Sequence, residues 1–350
     1  MTASLRQYWP APSQPRPIVI VGAGGIVHDA HLPAYRKAGF EVIGLYDLDR
    51  ERAETLARDN GIVTVFASLE EAAQAEAVFD VAAPPAAHRA IIATLPVGST
   101  ILLQKPMGLT LADATAIRDA ARQRRQIAAV NFQLRYSAMM LAVADAIRRG
   151  DLGVLTELEV HLNLVTPWHL FPHLRRDPRV EIVSHSIHYL DTIRALLGEP
   201  TGVFARSFGY PRSGLADTRT TMILDYPQPL RVTLSINHHH DYGRRFQDAG
   251  FRVEGTEGAA MVKLGLLLDY PTGEPDELWI VRRGGAWRQV HLEGRWFPDA
   301  FIGPMSNLQR FAAGEDEVLA TSVDDAWRTM ALVEAAYAAA AMPGLAIPQS

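Results

Sequence analysis

The stretch IVIVGAGGIV, residues 18–27, decides the fold of the first part of the chain. Its four β-branched residues predict a buried strand, and the glycines that follow predict a tight turn that opens a helix. A strand, a turn and a helix in direct succession are the start of a βαβ unit, in which parallel strands are joined by helices. The sequence therefore predicts a parallel sheet whose first strand begins at residue 18.

The same alternation of short β-branched runs and helical stretches continues to about residue 132. The further runs are EVIGLY, VTVF, FDVAA, TILL and IAAVNF, so we expect six strands with helical crossovers. From Gly153 onward, long runs rich in Val, Leu and Thr are joined by Gly, Pro and Asp turns, which favours an antiparallel or mixed sheet. Further helices are predicted over residues 181–197, 298–313 and 323–341.

Composition excludes several classes of protein. The 350 residues suffice for two domains, and the 48% hydrophobic and 21% charged residues are ordinary for a globular enzyme. Lys and Arg number 34 against 39 Asp and Glu, so nucleic acid is not an expected partner. The absence of cysteine excludes disulfides, thiolate metal sites and a cysteine nucleophile. No signal-peptide core or apolar run of about 18 residues occurs, so we expect a cytoplasmic protein without a membrane partner.

The glycine-rich turn has the features of a dinucleotide site. Gly22 permits the tight turn, and Gly24 lets the backbone approach a pyrophosphate at the helix N-terminus. Val27 stands where a third glycine is usual, but Asp47 ends the second strand about 20 residues on, where a carboxylate holds ribose hydroxyls. Because Asp47 repels a 2′-phosphate, NAD is favoured over NADP. Arg50 leaves NADP as a second possibility.

These observations give a prediction for the whole fold. We expect an α/β protein with a Rossmann dinucleotide-binding domain at residues 17–134, after a flexible arm at residues 1–16. Residues 135–350 are predicted to form an α+β domain that binds substrate and has a large, mostly antiparallel, open-faced sheet. An uncovered apolar face with Val232, Leu234 and Ile280 would make a homodimer or homotetramer. The residues of the glycine turn assigned to the cofactor are Gly22, Gly24, Gly25, Ile26 and Val27.

The fourth strand ends in Ala83, Pro84 and Pro85, with His88 soon after. This end of the strand lies at the carboxyl edge of the sheet, where cofactors bind in such folds, so all four residues are candidates for cofactor contact. Prolines that merely begin a helix are an equally good interpretation of the two prolines. For His88, a place in the first turn of the helix is favoured over catalysis.

The fifth strand ends in Gln104, Lys105 and Pro106, where a lysine would point into the crevice. This turn resembles the Glu-Lys-Pro hallmark of the glucose-fructose oxidoreductase/inositol dehydrogenase (Gfo/Idh/MocA) family. The resemblance implies that Lys105 lies beside the reacting carbon and shares in proton handling, and it makes Gln104 a cofactor-contacting residue. Because Gln104 replaces an acid, it removes a charge that would tune the lysine.

A second resemblance lies in EIVSHSIHYLDTIRALLG, residues 181–198. On an ideal helix the polar side chains fall within an arc of about 120°, which predicts a polar stripe that faces away from the core. Family members usually have Asp-x-x-x-His-x-x-Asp here, which implies that His188 is the proton acceptor. Asp191 also matches, whereas Ser184 replaces the first acid and His185 can partly substitute for it as a substrate contact.

Other candidate substrate contacts come from the crossover FQLRY and the loop TPWHLFPHLRR. Gln133 stands where the family has Asn and can line the site, while Arg135 is favoured as a brace. Trp168, His169 and Arg176 suit a sugar ring and its hydroxyls, although a lid or interface anchor is an equal alternative. The triplet at residues 238–240 lacks a second ligand cluster, so no metal is expected.

The resemblance implies an NAD-dependent dehydrogenase acting on a sugar (aldose) or a cyclic polyol. The carbinol proton would pass to His188 while Lys105 polarises the oxygen, and NADP remains possible as cofactor. Two alternatives stay open. One is a non-catalytic regulator that binds a dinucleotide and a sugar, and the other is an enzyme that uses NAD transiently for glycoside cleavage.

Overall fold

The computed structural model describes residues 4–348, with the side chains of residues 172 and 173 left aside. The chain divides into two compact units. Unit 1 takes the chain up to Ala142 together with Leu292–Met330, and unit 2 takes Val143–His291 and the chain after Met330. This division differs from the predicted one, because the boundary lies eight residues later and Leu292–Met330 packs with the first unit.

Unit 1 is built on a six-stranded sheet in the order β3-β2-β1-β4-β5-β6, in which every neighbouring pair is parallel. The predicted parallel sheet is thereby confirmed. The strands are β1 (Ile18–Val21), β2 (Val42–Tyr46), β3 (Thr64–Val65), β4 (Val78–Val81), β5 (Thr100–Leu103) and β6 (Ile127–Val130). Strands β2 and β3 lie on one side of β1, and β4, β5 and β6 lie on its other side. At such a change in strand order a crevice opens at the carboxyl ends of the two central strands, β1 and β4.

Helices connect the strands of unit 1, and several of them begin at a residue whose side chain caps the helix N-terminus. Asp49 accepts the backbone N–H of Arg52 at 3.1 Å, and Thr110 with Asp113 forms a capping box. The first crossover starts with a π-helical turn at Val27–His31. The helices are α1 (Leu32–Ala38), α2 (Arg50–Asn60), α3 (Leu69–Ala72), α4 (His88–Thr94) and α5 (Leu111–Gln123). A further helix, α6 (Ala138–Arg148), follows β6, starts in unit 1 and continues into unit 2.

Unit 2 is built on an eight-stranded sheet in the order β14-β13-β12-β11-β7-β10-β9-β8. The pair β7 and β10 is parallel and the other pairs are antiparallel, which confirms a mostly antiparallel sheet. The strands are β7 (Leu155–Asn163), β8 (Gly202–Phe208), β9 (Arg219–Asp225), β10 (Arg231–Asn237), β11 (Asp248–Gly255), β12 (Gly258–Lys263), β13 (Glu277–Arg282) and β14 (Arg288–Val290). Helix α7 (Ile187–Leu197) lies against this sheet, with the ring of Tyr189 5.9 Å from that of Phe251.

The side chains of this sheet alternate between a buried face and an open face, as period-2 patterning requires. Val232, Leu234 and Ile280 are buried within the single chain, so they cannot form the exposed face that the sequence assigned to them. That expectation was wrong because the helices of the chain already cover the apolar face. The open face contains mainly polar residues, with Phe204, Phe208 and Ile223 as exposed apolar exceptions.

The last helices are α8 (Ile302–Ala312) and α9 (Val323–Ala341), close to the predicted bounds. α9 starts in unit 1 and continues into unit 2. Within residues 4–348, no helix is both long enough and apolar enough to cross a membrane.

The predicted flexible arm is corrected for the part of it that the structure describes. Residues 4–16 contain no helix or strand, yet they are held by residues almost 300 positions further along the chain. The indole N–H of Trp9 donates to Asp316 at 2.8 Å, and its ring meets Tyr136 edge-on at 5.2 Å. Gln7 is buried and accepts the N–H of Glu293 at 3.0 Å. These partners could not be foreseen because they are distant in sequence.

Replacing Trp9 with Ala tests this anchoring. The variant loses an aromatic pair and a hydrogen bond to a carboxylate, so the free energy of unfolding should fall by about 2 kcal/mol in urea titrations. Tyr8→Ala is the matched control, because Tyr8 is 65% exposed and its loss should change the value by less than about 0.5 kcal/mol. Equal stability of the two variants would contradict an anchored arm.

Candidate active site

The turn after β1 is restricted to glycine by a close approach of two backbone segments. Gly22 has φ +113°, and a Cβ there would lie 2.7 Å from the carbonyl oxygen of Ala82. Gly24 differs, because a Cβ built on it meets no atom within 4 Å. The protein's own packing therefore does not require glycine at position 24. The open space in front of this backbone fits the approach of a pyrophosphate.

Asp47 lies beside this turn at the end of β2. One oxygen of its carboxylate accepts the N–H of Ala23 at 2.6 Å, and the other accepts the N–H of Asp49 at 2.8 Å. The carboxylate thus fixes the glycine turn as well as its own turn. Each oxygen has a second lone pair, so the group retains capacity for ribose hydroxyls.

A groove of about 490 Å³ extends from the glycine turn along α2. Its carboxylates outnumber its arginine, and the N–H of Arg52 lowers the pKa of Asp49. Arg52 pairs with Asp49 at 2.9 Å, whereas Arg50 lies outside the groove lining and pairs with Glu54 at 2.7 Å. Such a lining suits an uncharged ribose better than a 2′-phosphate. The lining residues are Ala23, Gly24, Gly25, His28, Asp49, Glu51, Arg52, Thr55, Leu56 and Asp59.

The remaining residues assigned to the cofactor fall into two groups. Some pack in the core of unit 1, and others lie at the turn after β4. Val27 is fully buried and Ile26 packs against the core of unit 1. His88 is buried, and its ring donates to the carbonyl of Ala83 at 3.0 Å. Burial lowers the pKa of His88 to about 4, so the ring is neutral and braces the turn after β4. Pro85 begins a 3-10 turn, as a proline at a helix start does.

Lys105 follows β5 at the carboxyl edge of the same sheet. Its side chain is half-buried, and desolvation lowers the pKa of its amine to about 8. The backbone N–H of Lys105 donates to the side-chain oxygen of Gln104 at 2.7 Å. An amine with such a pKa changes its charge near neutral pH, as acid-base chemistry requires.

Two buried amides stand at the end of β6. The N–H of Asn131 donates to the carbonyl of Leu103 at 2.7 Å, while its side-chain oxygen and nitrogen are buried without a hydrogen-bond partner in residues 4–348. The side-chain oxygen of Gln133 is in the same condition. Buried amides in this state are candidates for contact with a ligand. Sequence analysis missed Asn131, although an Asn that ends an apolar run was a visible signal.

Arg135, by contrast, is fully engaged as a brace within unit 1. Its guanidinium donates to the carbonyl of Ala320 at 2.9 Å and to Asp325 at 2.6 Å. This agrees with the structural role that the sequence favoured for it.

In unit 2 the predicted catalytic helix departs from the ideal geometry. Ile182–Ser186 form a π-helical turn, and α7 begins only at Ile187. The predicted stripe facing away from the core is corrected, because His188 and Asp191 are buried, whereas Ser184 and His185 are half-buried. Residues 187–194 of α7 are buried on every side of the helix, which the angular positions on an ideal helix could not show. π-helical turns of this kind are frequent at functional sites.

The loop before this helix brings an indole against histidines. The ring of Trp168 lies 5.2 Å from that of His185 and 5.4 Å from that of His238, and the two histidines are 4.9 Å apart. His239 stacks on Tyr210 at 4.5 Å. His169 and Arg176 are exposed and do not take part in these ring contacts.

His238 and His239 were missed as site residues because the triplet was weighed only as a metal ligand. Trp168 and His185, by contrast, were both predicted. The described part of the chain contains no group of three or more His, Asp or Glu residues arranged to hold a metal ion.

Comparisons with known proteins agree with this geometry. Residues 16–132 match the oxidoreductase family with an NAD-binding Rossmann fold, and residues 140–261 match the GFO/IDH/MocA C-terminal domain. The chain is similar to 1,5-anhydro-D-fructose reductase of Ensifer adhaerens, with 26% identity over 264 residues that cover 73% of this chain and 77% of the relative. It is also similar to D-apiose dehydrogenase of Paraburkholderia graminis, with 26% identity over 344 residues, 92% of this chain and 86% of the relative.

A solved oxidoreductase from Agrobacterium radiobacter, in complex with NAD+, L-tartaric acid and magnesium, has a similar fold. The TM-score is 0.77 at 20% identity, and the match covers 94% of this chain and 97% of that one. At this identity the likeness concerns the fold alone.

Gly22 and Gly24 give a matched pair of variants. Gly22→Ala should lower the free energy of unfolding by more than about 2 kcal/mol, because it adds strain and a clash with backbone. Gly24→Ala should leave stability nearly unchanged and weaken NAD binding at least about tenfold, because its methyl group fills the space in front of the turn. Urea unfolding and calorimetric titration with NAD measure the two effects. Native NAD affinity in Gly24→Ala would contradict the assignment.

Proposed function

The chain belongs to the Gfo/Idh/MocA family of NAD-binding oxidoreductases, and from this premise we propose that it transfers a hydride between a carbinol carbon of a sugar, such as an aldose, or of a cyclic polyol and NAD. The observation that carries the proposal is Lys105, a desolvated lysine at the carboxyl edge of the nucleotide-binding sheet. The relatives named 1,5-anhydro-D-fructose reductase and D-apiose dehydrogenase support a sugar as substrate, and the relative named inositol 2-dehydrogenase supports a cyclic polyol.

Several residues of unit 1 would hold the cofactor, which supplies the hydride acceptor when bound. The backbone at Gly24 and the N-terminus of the following helix would receive the pyrophosphate. Asp47 would accept the ribose hydroxyls, since its oxygens have lone pairs beyond those used by Ala23 and Asp49. The carboxylates along the groove disfavour a 2′-phosphate, so NAD is preferred to NADP.

Lys105 and His188 would divide the proton chemistry. The ammonium of Lys105 donates a hydrogen bond to the carbinol oxygen and stabilises the negative charge that develops there. His188 accepts the hydroxyl proton as the hydride leaves carbon. Ser184, His185 and Asp191 would contact substrate hydroxyls, and Trp168 would pack on a ring face.

Alanine variants of the two residues test this assignment. Lys105→Ala and His188→Ala should each lower turnover of the best sugar or polyol by at least about 100-fold, with NAD affinity nearly unchanged. The double variant should cost less than the product of the single losses, because the residues act as a unit. Single-turnover hydride transfer is the measurement. Near-native rates in both single variants would favour a non-catalytic regulator instead.

The pH dependence of kcat/KM tests independently whether the charged form of Lys105 is needed for oxidation. The pKa of Lys105 is lowered to about 8, so its ammonium is lost as the pH rises through this value, and kcat/KM for oxidation should fall there. Lys105→Arg keeps its charge at all these pH values, so this alkaline limb should disappear whatever rate remains. An unchanged alkaline limb in Lys105→Arg would contradict the role.

We also propose that the open face of the unit 2 sheet pairs with a second copy of the chain. Phe204 and Ile223 are neighbours across β8 and β9 and are 63% and 46% exposed, and Phe208 on the same face is 58% exposed. An apolar patch of this kind is typical of a subunit interface.

Light scattering at micromolar concentration should find a dimer or tetramer, and Phe204→Glu should shift it toward the monomer. Val63→Glu is the control, because Val63 is 96% exposed on unit 1 and should not affect assembly. A monomeric native protein would contradict the interface.

A further inference from the structure

A chain of polar groups, fully buried except for the half-buried Gln104, lies behind Lys105 within unit 1. The N–H of Lys105 donates to Oε1 of Gln104 at 2.7 Å, and Nε2 of Gln104 lies 3.1 Å from Nε2 of His31. Nδ1 of His31 lies 2.6 Å from Oδ2 of Asp80, which also accepts the hydroxyl of Tyr35 at 2.7 Å. Three segments of the chain, around residues 31–35, 80 and 104–105, thus meet in one line of hydrogen bonds.

The groups at the two ends of this line determine which group donates and which accepts in each of its hydrogen bonds. A backbone N–H is only a donor, so Gln104 must turn its oxygen to Lys105 and its amide nitrogen to His31. Nε2 of His31 must then be the acceptor, and its proton must be on Nδ1. That nitrogen faces Asp80, an acceptor when ionised. Every donor therefore meets an acceptor in a single arrangement, with His31 neutral.

Burial makes other arrangements costly. His31, Tyr35 and Asp80 are fully buried, and burial together with Asp80 raises the pKa of Tyr35 well above its ordinary value, so the phenol remains a donor. The groups that face His31 are Asp80, Tyr35, Gln104 and the ring of Phe301 at 5.0 Å. A reversed bond here would place two donors face to face without water to compensate.

We propose that Gln104 is the positioning residue of Lys105, and that Asp80, through the single tautomer of His31, sets the orientation in which the Gln104 amide holds the Lys105 backbone. This inference rests on the proposed function, since it concerns the lysine that would act on the substrate. Gln104 itself is not a proton donor to the substrate in this account. It acts through the place it gives to Lys105.

Glutamate, the usual family residue at this turn, would need a different proton count. Two carboxylate oxygens accept from both sides, so His31 would have to carry a second proton or the acid itself would have to be protonated. With Asp80 ionised, the native arrangement has a net charge of −1, and the variant with a cationic His31 between two carboxylates has the same net charge. The native cluster with Gln104 thus has the same net charge as the cluster with glutamate, but it needs one ionisable proton fewer. Gln104 also leaves no carboxylate beside Lys105.

Nitrogen NMR of the histidines tests the direction of the line without any substrate. In protein labelled with ¹⁵N at its 12 histidines, His31 is assigned by its loss in His31→Asn. The native spectrum should show His31 neutral with the proton on Nδ1. Tyr35→Phe, the matched control in the same cluster, should keep this tautomer, whereas Gln104→Glu should add a proton to the cluster. A native proton on Nε2 would overturn the proposal.

Lysine titration tests the link to Lys105. The chain has three lysines, Lys37, Lys105 and Lys263, so ¹³C-methylated lysines give few signals and each can be followed with pH. Lys105 should titrate near pH 8 in the native protein and at higher pH in Gln104→Glu, because a carboxylate favours the ammonium. An unchanged titration of Lys105 in Gln104→Glu, in protein whose His31 signal shows that the added proton is on His31 and the glutamate is ionised, would overturn the coupling between the two residues.

Kinetics of two Gln104 variants separate positioning from simple stability. Gln104→Met removes both hydrogen bonds and should lower kcat about 10-fold to 100-fold in enzyme saturated with NAD, since small misplacements of a reacting group have effects of this size. Gln104→Glu restores an acceptor for the Lys105 N–H and should recover kcat to within about fivefold, with its alkaline limb at higher pH. Native kcat in folded Gln104→Met would overturn the positioning role. If no sugar is oxidised at all, the proposed function fails, while both NMR results still decide the proton arrangement.

Discussion

The close approach of Gly22 to the carbonyl of Ala82 constrains the functional edge of unit 1. A Cβ at this position would lie 2.7 Å from that oxygen, so β1 can run into its turn directly beside the end of β4 only with glycine. The same turn receives the Asp47 carboxylate through the N–H of Ala23. One backbone contact thereby brings the glycine turn, the acidic residue and the end of β4 to the same edge of the sheet. The cofactor groove begins at this glycine turn, and the turn with Lys105 follows β5, which is the neighbour of β4 in the same sheet.

Much of this could be predicted from the sequence, because the signals are local. Hydrophobic runs, turn glycines and their spacing predicted the six parallel strands, and Asp47 and Lys105 followed because each comes directly after a strand. The mostly antiparallel second sheet was predicted from its Val-, Leu- and Thr-rich runs. The roles of Asp47, Lys105 and His188 remain predictions, since they depend on ligands.

What the sequence could not predict depends on contacts between distant residues. The arm is anchored through Trp9 to Asp316, which no local pattern could indicate. The helix with His188 was expected to expose a polar stripe, but a π-helical turn changes its angles and packing buries the histidine. The resemblance placed Gln104 where the family usually has an acid, but its contact with His31, and through His31 with Asp80, joins residues from two other elements. The effect of a substitution at position 104 therefore depends on the protonation of neighbours that are distant in sequence.

Formation of NADH over a panel of aldoses, aldonolactones and inositols tests the central claim most directly. The assay follows absorbance of the reduced cofactor with NAD and NADP side by side, on the native protein. The account predicts net reduction of the cofactor with at least one sugar or cyclic polyol, faster with NAD, which gives NADH, than with NADP, which gives NADPH. Tight binding of NAD without net reduction by any member of the panel would contradict it. Such a result would favour a non-catalytic regulator, or glycoside cleavage in which the cofactor is reoxidised in place.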